Sequence, residues 1–342
     1  MNNPKNSKKL NVDLVRSPQP YLVTDVGELY SPNRLLAPEP TLPLLSGILQ
    51  DTGAKSGLEI KVTQLDLRDS KNGEIAHEHY GDLRLPYIES TLRKMCSGIP
   101  LQSRIGALEE ADVIGFTNNF TMSRNIVRGN IQKVRAIFPD KEIWIGGRDV
   151  FSDEVVDLYA ESAGHKNLVI FDGHAFYSLP EYVQFRAGLD ANPHSITSFD
   201  KEGKRIQFPN ASFMELARQR GFSPPTPIYS DVETLDKFNY SGEGPIAEGH
   251  GKFAHITLSV GCPHKCGYCT TGWRERGLVV RSIDSIKVEL DYYKSMGVKT
   301  LAVMDDNLLS MGVTRVNELM AIINSYGFNT EYGNGLEVRL LH

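Results

Sequence analysis

Only four cysteines occur among 342 residues, and three of them crowd into one short window. That scarcity argues against a disulfide framework, because three clustered thiols leave one unpaired and no apolar leader follows the N-terminal MNNPKNSKKLNV. No apolar run reaches membrane-spanning length, which argues against a membrane partner. Charge of one sign is also scarce: 37 Lys and Arg against 42 Asp and Glu give a net charge of −5, so no broad basic surface exists for nucleic acid. The basic start KNSKK reads as a solvated tail. No internal repeat and no low-complexity tract is present. At this length about two domains are expected, each large enough for its own core.

What stands out instead is the run VGCPHKCGYCTTGW, which carries Cys262, Cys266 and Cys269 in the spacing C-x-x-x-C-x-x-C. Three thiolates so placed can hold three irons of a cubane cluster and leave the fourth iron open to a substrate or cofactor. A structural zinc site normally closes with four ligands, and His255 or His264 can complete a Cys3His set, so zinc stands as the alternative. Cys96 has no ligand set around it and reads as a half-buried thiol on a helix.

The flanks of the loop read as alternating strands and helices. Residues 253–260 place Ile256, Leu258 and Val260 on one face of a strand, so the cysteines follow a strand C-terminus, where barrel enzymes keep their chemistry. Ile283, Ile286, Leu290, Tyr293 and Met296 recur at helical spacing, with Ser282 as cap and Gly297 as stop. TLAVMDDNLL is a short buried strand ending in polar residues. Val313, Val316, Met320 and Ile323 mark a second helix closed near Gly327, and TEYGNGLEVRLL a third strand. Strand, helix, strand, helix, strand is the parallel right-handed repeat.

The first half reads as a separate α/β unit. Strands are expected at NVDLV, LEIKVTQLDL, ADVIGFT, EIWIGG and NLVIFDG. Helices are expected around Leu42, Leu45, Ile48 and Leu49, in PYIESTLRKM, through Ile126, Ile131, Val134 and Phe138, around Val155 and Leu158, and near Tyr182. Such alternation implies a doubly wound parallel sheet, which binds ligands beyond its strand C-termini. There Thr117, Asn118, Asn119, Thr121 and Ser123 offer short hydrogen-bonding side chains, and Gly146, Gly147 and Gly173 keep the backbone open, although Gly146-Gly147 also suits a plain strand-to-helix turn. Residues 191–250 read as a connector with a hairpin at 201–203, between domains at 1–190 and 251–342.

The cysteine loop resembles that of the radical S-adenosylmethionine superfamily, with Tyr268 in the aromatic place before the last cysteine. The resemblance implies that Cys262, Cys266 and Cys269 ligate a 4Fe-4S cluster whose open iron chelates S-adenosylmethionine, and that one electron cleaves the sulfonium to a 5′-deoxyadenosyl radical. It implies S-adenosylmethionine contacts from Tyr268, Asp305, Asp306, Asn307 and Asn334. Asp305 and Asp306 also fit plain loop capping. Gly272, Trp273 and Arg274, just after the loop, shield the cluster or form a turn. ADVIGFTNNFT, RAIFPDKEIWIGG and LVIFDGHAF resemble the N-terminal cobalamin-binding domain of the cobalamin-dependent branch.

That likeness implies cobalamin at Thr117, Asn118, Asn119, Thr121, Ser123, Gly146, Gly147 and Gly173. Two departures stand out. The last strand ends in Asp172, Gly173 and His174 rather than Gly-Glu-Gly-Glu, and no D-x-H-x-x-G is present, which implies cobalamin without a histidine lower ligand. A full barrel of this family has six or more strands, so the chain is expected to be a truncated part of a longer protein. The expectation is an α/β chain, a Rossmann-like doubly wound sheet followed by a partial radical SAM (β/α) barrel. It would be an enzyme of the reducing cytoplasm that C-methylates or rearranges a small-molecule substrate, with electrons from a flavodoxin or ferredoxin. Alternatives are a cobalamin-free N-terminal domain or a non-catalytic scaffold.

Overall fold

The computed structural model describes residues 9–24, 27, 29–31, 40–68, 76–84, 91–229, 252–267, 269, 271, 276–332 and 334. The chain divides into two compact units, Met1–Arg34 with Leu49–Asn210, and Leu35–Ile48 with Ala211–His342.

In the first unit a seven-stranded sheet runs in the order β11-β10-β9-β8-β7-β1-β4. Its strands are β1 (Lys9–Arg16), β4 (Glu59–Asp66), β7 (Val113–Thr117), β8 (Glu142–Gly146), β9 (Leu168–Phe171), β10 (Ile196–Phe199) and β11 (Arg205–Gln207). β4, β1, β7, β8 and β9 are parallel, and the hairpin expected at 201–203 adds β10 and β11 antiparallel at one edge. VIGFT of β7 and LVIF of β9 are buried throughout, as parallel strands covered on both faces must be. β4 alternates exposed and half-buried residues, and its charged Glu59 and Lys61 suit a sheet edge.

Helices α1 (Thr41–Ser56), α2 (Arg124–Ile137), α3 (Asp153–Ser162) and α4 (Ala175–Arg186) alternate with these strands, residues 41–48 of α1 grouping with the second unit. α2 buries Ile126, Val127, Ile131 and Val134; α3 buries Val155, Val156, Tyr159 and Ala160 and is capped by Ser152, which accepts from the Val155 amide at 3.4 Å. At the strand N-termini the Arg135 guanidinium donates to the carbonyls of Pro139, Lys141, Ala163, Lys166 and Asn167, which ties those loops together. From β1 the chain goes to β4 on one side, and the next strand of this sheet, β7, returns to the other side of β1. This is the topological switch point where doubly wound sheets take ligands.

A second sheet was not expected from the sequence. β2 (Gln19–Val23), β3 (Leu29–Ser31), β5 (Ala76–Leu83) and β6 (Leu92–Gly98) form an antiparallel sheet in the order β3-β2-β6-β5. The helix expected in PYIESTLRKM is therefore corrected to strand where it is described, residues 85–90 lying outside the described residues. Leu92, Arg93, Lys94 and Met95 have good helix propensity, but ladders to β2 on one side and β5 on the other satisfy their backbone and override it. Cys96 thus sits on a strand, 4% exposed. Burial, with Glu78 nearby, pushes its thiol up to about 11.

In the second unit β12 (Phe253–Ile256), β15 (Thr300–Val303) and β16 (Asn329–Tyr332) form a parallel sheet in the order β12-β15-β16. α5 (Phe213–Arg220) precedes β12; α6 (Ile283–Ser295) joins β12 to β15, and α7 (Val313–Ser325) joins β15 to β16. The helical pattern holds at Ile286, Leu290, Tyr293 and Met296, all buried, and Ser282 caps α6 by accepting from the Ser285 amide at 3.2 Å. Val316 and Ile323 of α7 are buried, but Val313 in its first turn is 44% exposed. Residues 335–342, the latter part of the expected third strand, and residues 230–250 of the expected connector lie outside the described residues. No helix among the described residues is long and apolar enough to cross a membrane.

Cys96 gives a direct test of this packing. In the native chain at about pH 8 iodoacetamide should modify the exposed Cys266, with Cys96 reacting roughly tenfold or more slowly, since only an accessible thiolate reacts. Peptide mass spectrometry reads the rates, and comparable labelling of Cys96 would refute the buried strand.

Candidate functional site

The cysteine loop leaves the C-terminal end of β12 through a short ladder absent from the sequence reading. β13 (Ser259–Val260) pairs antiparallel with β14 (Val279–Val280), and Cys262 bridges to Arg276. Gly261 has φ +91°, in the left-handed region, and turns the chain just ahead of Cys262. Cys262 and Cys269 are half-buried, Cys266 is exposed, and all three are free thiols. The Cys269 amide donates to the Cys266 carbonyl at 3.0 Å, which folds the last two ligands into one turn.

Among the described residues no group of three His, Cys, Asp or Glu side chains forms a ready metal set. The donor chemistry nevertheless fits a cluster: three reachable thiols share one loop whose base is tied by hydrogen bonds. Tyr268 and Gly272, Trp273 and Arg274 lie outside the described residues.

At the β15 terminus the four polar candidates divide. Asp305 is 3% exposed and reaches back towards β12, accepting from the Leu258 amide at 2.8 Å and the Ser259 hydroxyl at 2.5 Å. Burial pushes its carboxyl up to about 6, against the lowering effect of those donors. Asp306 is half-buried and accepts from the Thr271 hydroxyl at 3.3 Å. Asn307 opens the 3-10 turn Leu308–Met311. Asn334 donates to the carbonyls of Met304 and Asp305 at 3.2 and 3.0 Å, bracing the β15 end from beyond β16.

Behind the loop sits a buried ion pair. Arg281 and Glu289, 2% and 3% exposed, meet at 2.6 Å, and Arg281 also donates to the Thr257 carbonyl at 2.9 Å and to the Ser285 carbonyl and hydroxyl. Neither residue carried a sequence signal.

In the first unit the switch point is a packed polar knot. Asn118, fully buried at the end of β7, donates to Asp149 at 2.9 Å and to the Tyr159 hydroxyl at 2.8 Å. Tyr159 donates to the same Asp149 oxygen at 2.8 Å, and Arg124 pairs with both Asp149 oxygens at 2.8 and 2.7 Å. The Asn118 amide hydrogens are thus spent within the protein. Asn119 accepts from the Arg148 amide at 3.2 Å, Thr117 and Ser123 are buried, and Thr121 is exposed.

Gly147 is glycine for a local reason. Its φ is +115°, and a Cβ there would lie within 2.1 Å of the Asn118 carbonyl oxygen. A Cβ on Gly146 would touch Phe171 at 3.4 Å, and one on Gly173 would meet Ser195 at 2.8 Å. His174 precedes α4 as its N-cap residue, its ring stacked on Phe176 at 5.9 Å.

The sequence reading passed over three apolar side chains on these same loops. Phe120, Met122 and Phe151 are 61%, 43% and 50% exposed, and the Arg124 guanidinium lies 5.7 Å from the Phe151 ring centre. Apolar residues placed in polar strand-end loops were the available signal. They lie on the loops that follow β7 and β8, beside the polar knot.

A doubly wound sheet followed by a parallel β/α segment with a cysteine loop at its first strand end defines the class of fold. No protein-family model matches the sequence, and no curated protein matches it significantly. Two of the solved structures that share the fold are informative. One is apo OxsB, a cobalamin-dependent S-adenosylmethionine radical enzyme, at TM-score 0.58 and 15% identity, covering 94% of this chain and 38% of that one. The other is TsrM from Kitasatospora setae, a radical S-adenosylmethionine methyltransferase with cobalamin and a [4Fe-4S] cluster bound, at TM-score 0.57 and 15% identity, covering 92% of this chain and 52% of that one. The chain therefore spans only about 38% and 52% of the lengths of these two proteins.

The close approach at Gly147 makes a prediction that needs no ligand. Gly147→Ala should lower stability by about 2–4 kcal/mol, from backbone strain plus overlap with the Asn118 carbonyl. Urea denaturation measures it, and a neutral substitution would contradict the geometry.

Proposed function

We propose that this chain forms the cobalamin-binding and cluster-binding part of a radical S-adenosylmethionine enzyme that methylates an unactivated carbon of a small-molecule substrate. The observation that carries this reading is the three-cysteine loop rooted at the C-terminal end of the first strand of a parallel sheet. The shared fold supports the cofactor pair, and the methyltransferase name of TsrM favours methylation over rearrangement.

When bound, the cluster supplies one electron to the S-adenosylmethionine sulfonium and cobalamin serves as methyl carrier. The residues of the chain bind and orient. Cys262, Cys266 and Cys269 hold three irons as thiolates. Asp306 and Asn307, at the β15 terminus, offer an acceptor and a donor for the amino and ribose groups of S-adenosylmethionine. In the first unit Phe120, Met122 and Phe151 offer apolar contact to a corrin, while Asn119 and Thr121 offer hydrogen bonds to its tail.

No histidine of a D-x-H-x-x-G motif is present to serve as a lower ligand, so we assign cobalamin a histidine-off state, with His174 the residue best placed to contradict it. The electron donor is assigned to the flavodoxin or ferredoxin class, and a reducing cytoplasm suits both free thiols and cluster.

Anaerobic purification with hydroxocobalamin followed by reconstitution with iron and sulfide tests the proposal. The full chain should retain cobalamin and take up about four irons with matching sulfide, and triple replacement of Cys262, Cys266 and Cys269 by Ala should abolish iron uptake while leaving cobalamin bound. Tight zinc binding without sulfide uptake would overturn the cluster, and no retained corrin would overturn the cobalamin site. A nitrogen-coupled Co(II) signal lost in His174→Ala would overturn the histidine-off state.

A further inference from the structure

An acidic residue at a barrel strand end is ordinarily read as a ligand for substrate. Asp305 does not fit that reading. It is 3% exposed and both its oxygens accept hydrogen bonds from the residues that launch the cysteine loop, Leu258 and Ser259. The rest of that launch point is equally occupied. The Ile256 carbonyl accepts from the Met304 amide at 2.9 Å, the Thr257 carbonyl from Arg281 at 2.9 Å, and the Leu258 carbonyl from the Arg281 amide at 2.9 Å. The neighbouring Asp306 grips the other side of the loop, because its partner Thr271 lies beyond Cys269 in sequence whereas Leu258 and Ser259 lie before Cys262. Two adjacent carboxylates just beyond β15 thus hold the start and the exit of the three-cysteine segment.

We propose that Asp305 is a positioning residue that fixes the root of the cysteine loop, and through it the spacing of the three thiols, rather than a contact for S-adenosylmethionine. This rests on the reading of the loop as a cluster site. Cys262 and Cys269 are half-buried and Cys266 exposed, so the loop itself supplies little packing to hold them. Order must come from the anchors at its base. Asp305→Ala strands the Leu258 amide and the Ser259 hydroxyl in a dry site and frees the root. Asp305→Asn keeps both contacts, since its oxygen still accepts from Leu258 and its amide can donate to Ser259 once the hydroxyl turns round.

The test compares the full chain with Asp305→Ala, Asp305→Asn and Ser259→Ala, each reconstituted anaerobically. Cluster loss to an iron chelator and the line shape of the reduced cluster are read by absorption and EPR. Asp305→Ala should lose its cluster roughly tenfold faster or more, the effect of removing a support behind a metal ligand, with a broadened signal. Asp305→Asn should restore wild-type behaviour, and Ser259→Ala, which removes one anchor only, should fall between and serves if Asp305→Ala does not fold. At matched cluster content the spectral change on adding S-adenosylmethionine should persist in all three. Wild-type cluster retention in Asp305→Ala with loss of that spectral change would overturn the proposal and make Asp305 a contact. Failure of the unaltered chain to take up a cluster would instead overturn the cluster reading itself.

Discussion

A chain leaving a buried parallel strand must satisfy the backbone groups at its point of exit, and the second unit meets that constraint with buried side chains. At the end of β12 the work is done by Asp305, just beyond β15, and by Arg281 from the return limb of the cysteine loop. At the end of β7, Asn118, Asp149, Tyr159 and Arg124 bond to one another through their side chains, and Asn118 also accepts from the Phe120 amide at 3.3 Å. Apart from the part-exposed Arg124, these groups are buried. In the proposed reading they hold the loops that carry the three thiols in one unit and the exposed Phe120, Met122 and Phe151 in the other.

The magnitudes favour this division of labour. A single neutral hydrogen bond contributes only about 1 kcal/mol net, yet stranding a buried partner costs about 1–3 kcal/mol, and breaking a buried ion pair about 3–5 kcal/mol. Arg281–Glu289 and Arg124–Asp149 are therefore expensive to disturb from one side, though neither is evidence of great stability in itself. Their geometric effect is larger than their energetic one. Each fixes where a strand-end loop begins.

Much of this was legible in the sequence. The three-cysteine spacing and the apolar stretches VIGF, IWI and LVIF inside ADVIGFT, EIWIGG and NLVIFDG identify themselves, because continuous burial in a parallel sheet leaves a local trace. The α6 cap at Ser282 and the stop at Gly297 were readable for the same local reason. The antiparallel sheet was not. Its two longer strands, β5 and β6, carry polar and charged residues instead of an apolar run, and LRKM is a good local helix former whose strand state comes only from distant partners in β2 and β5. The polar knots were hidden likewise: nothing in the sequence pairs Arg281 with Glu289, turns Asp305 back towards Ser259, or joins Asn118 to Asp149. Gly147 was readable as a special glycine, but its cause, the Asn118 carbonyl, belongs to the neighbouring strand.

The central claim is that three thiols on this loop hold a cluster with one iron left open. EPR of the dithionite-reduced, reconstituted full chain, recorded with and without S-adenosylmethionine, addresses it most directly. An open iron predicts a change in g values on addition, because the amino and carboxylate groups then complete its coordination. Superimposable spectra at saturating S-adenosylmethionine would contradict the account.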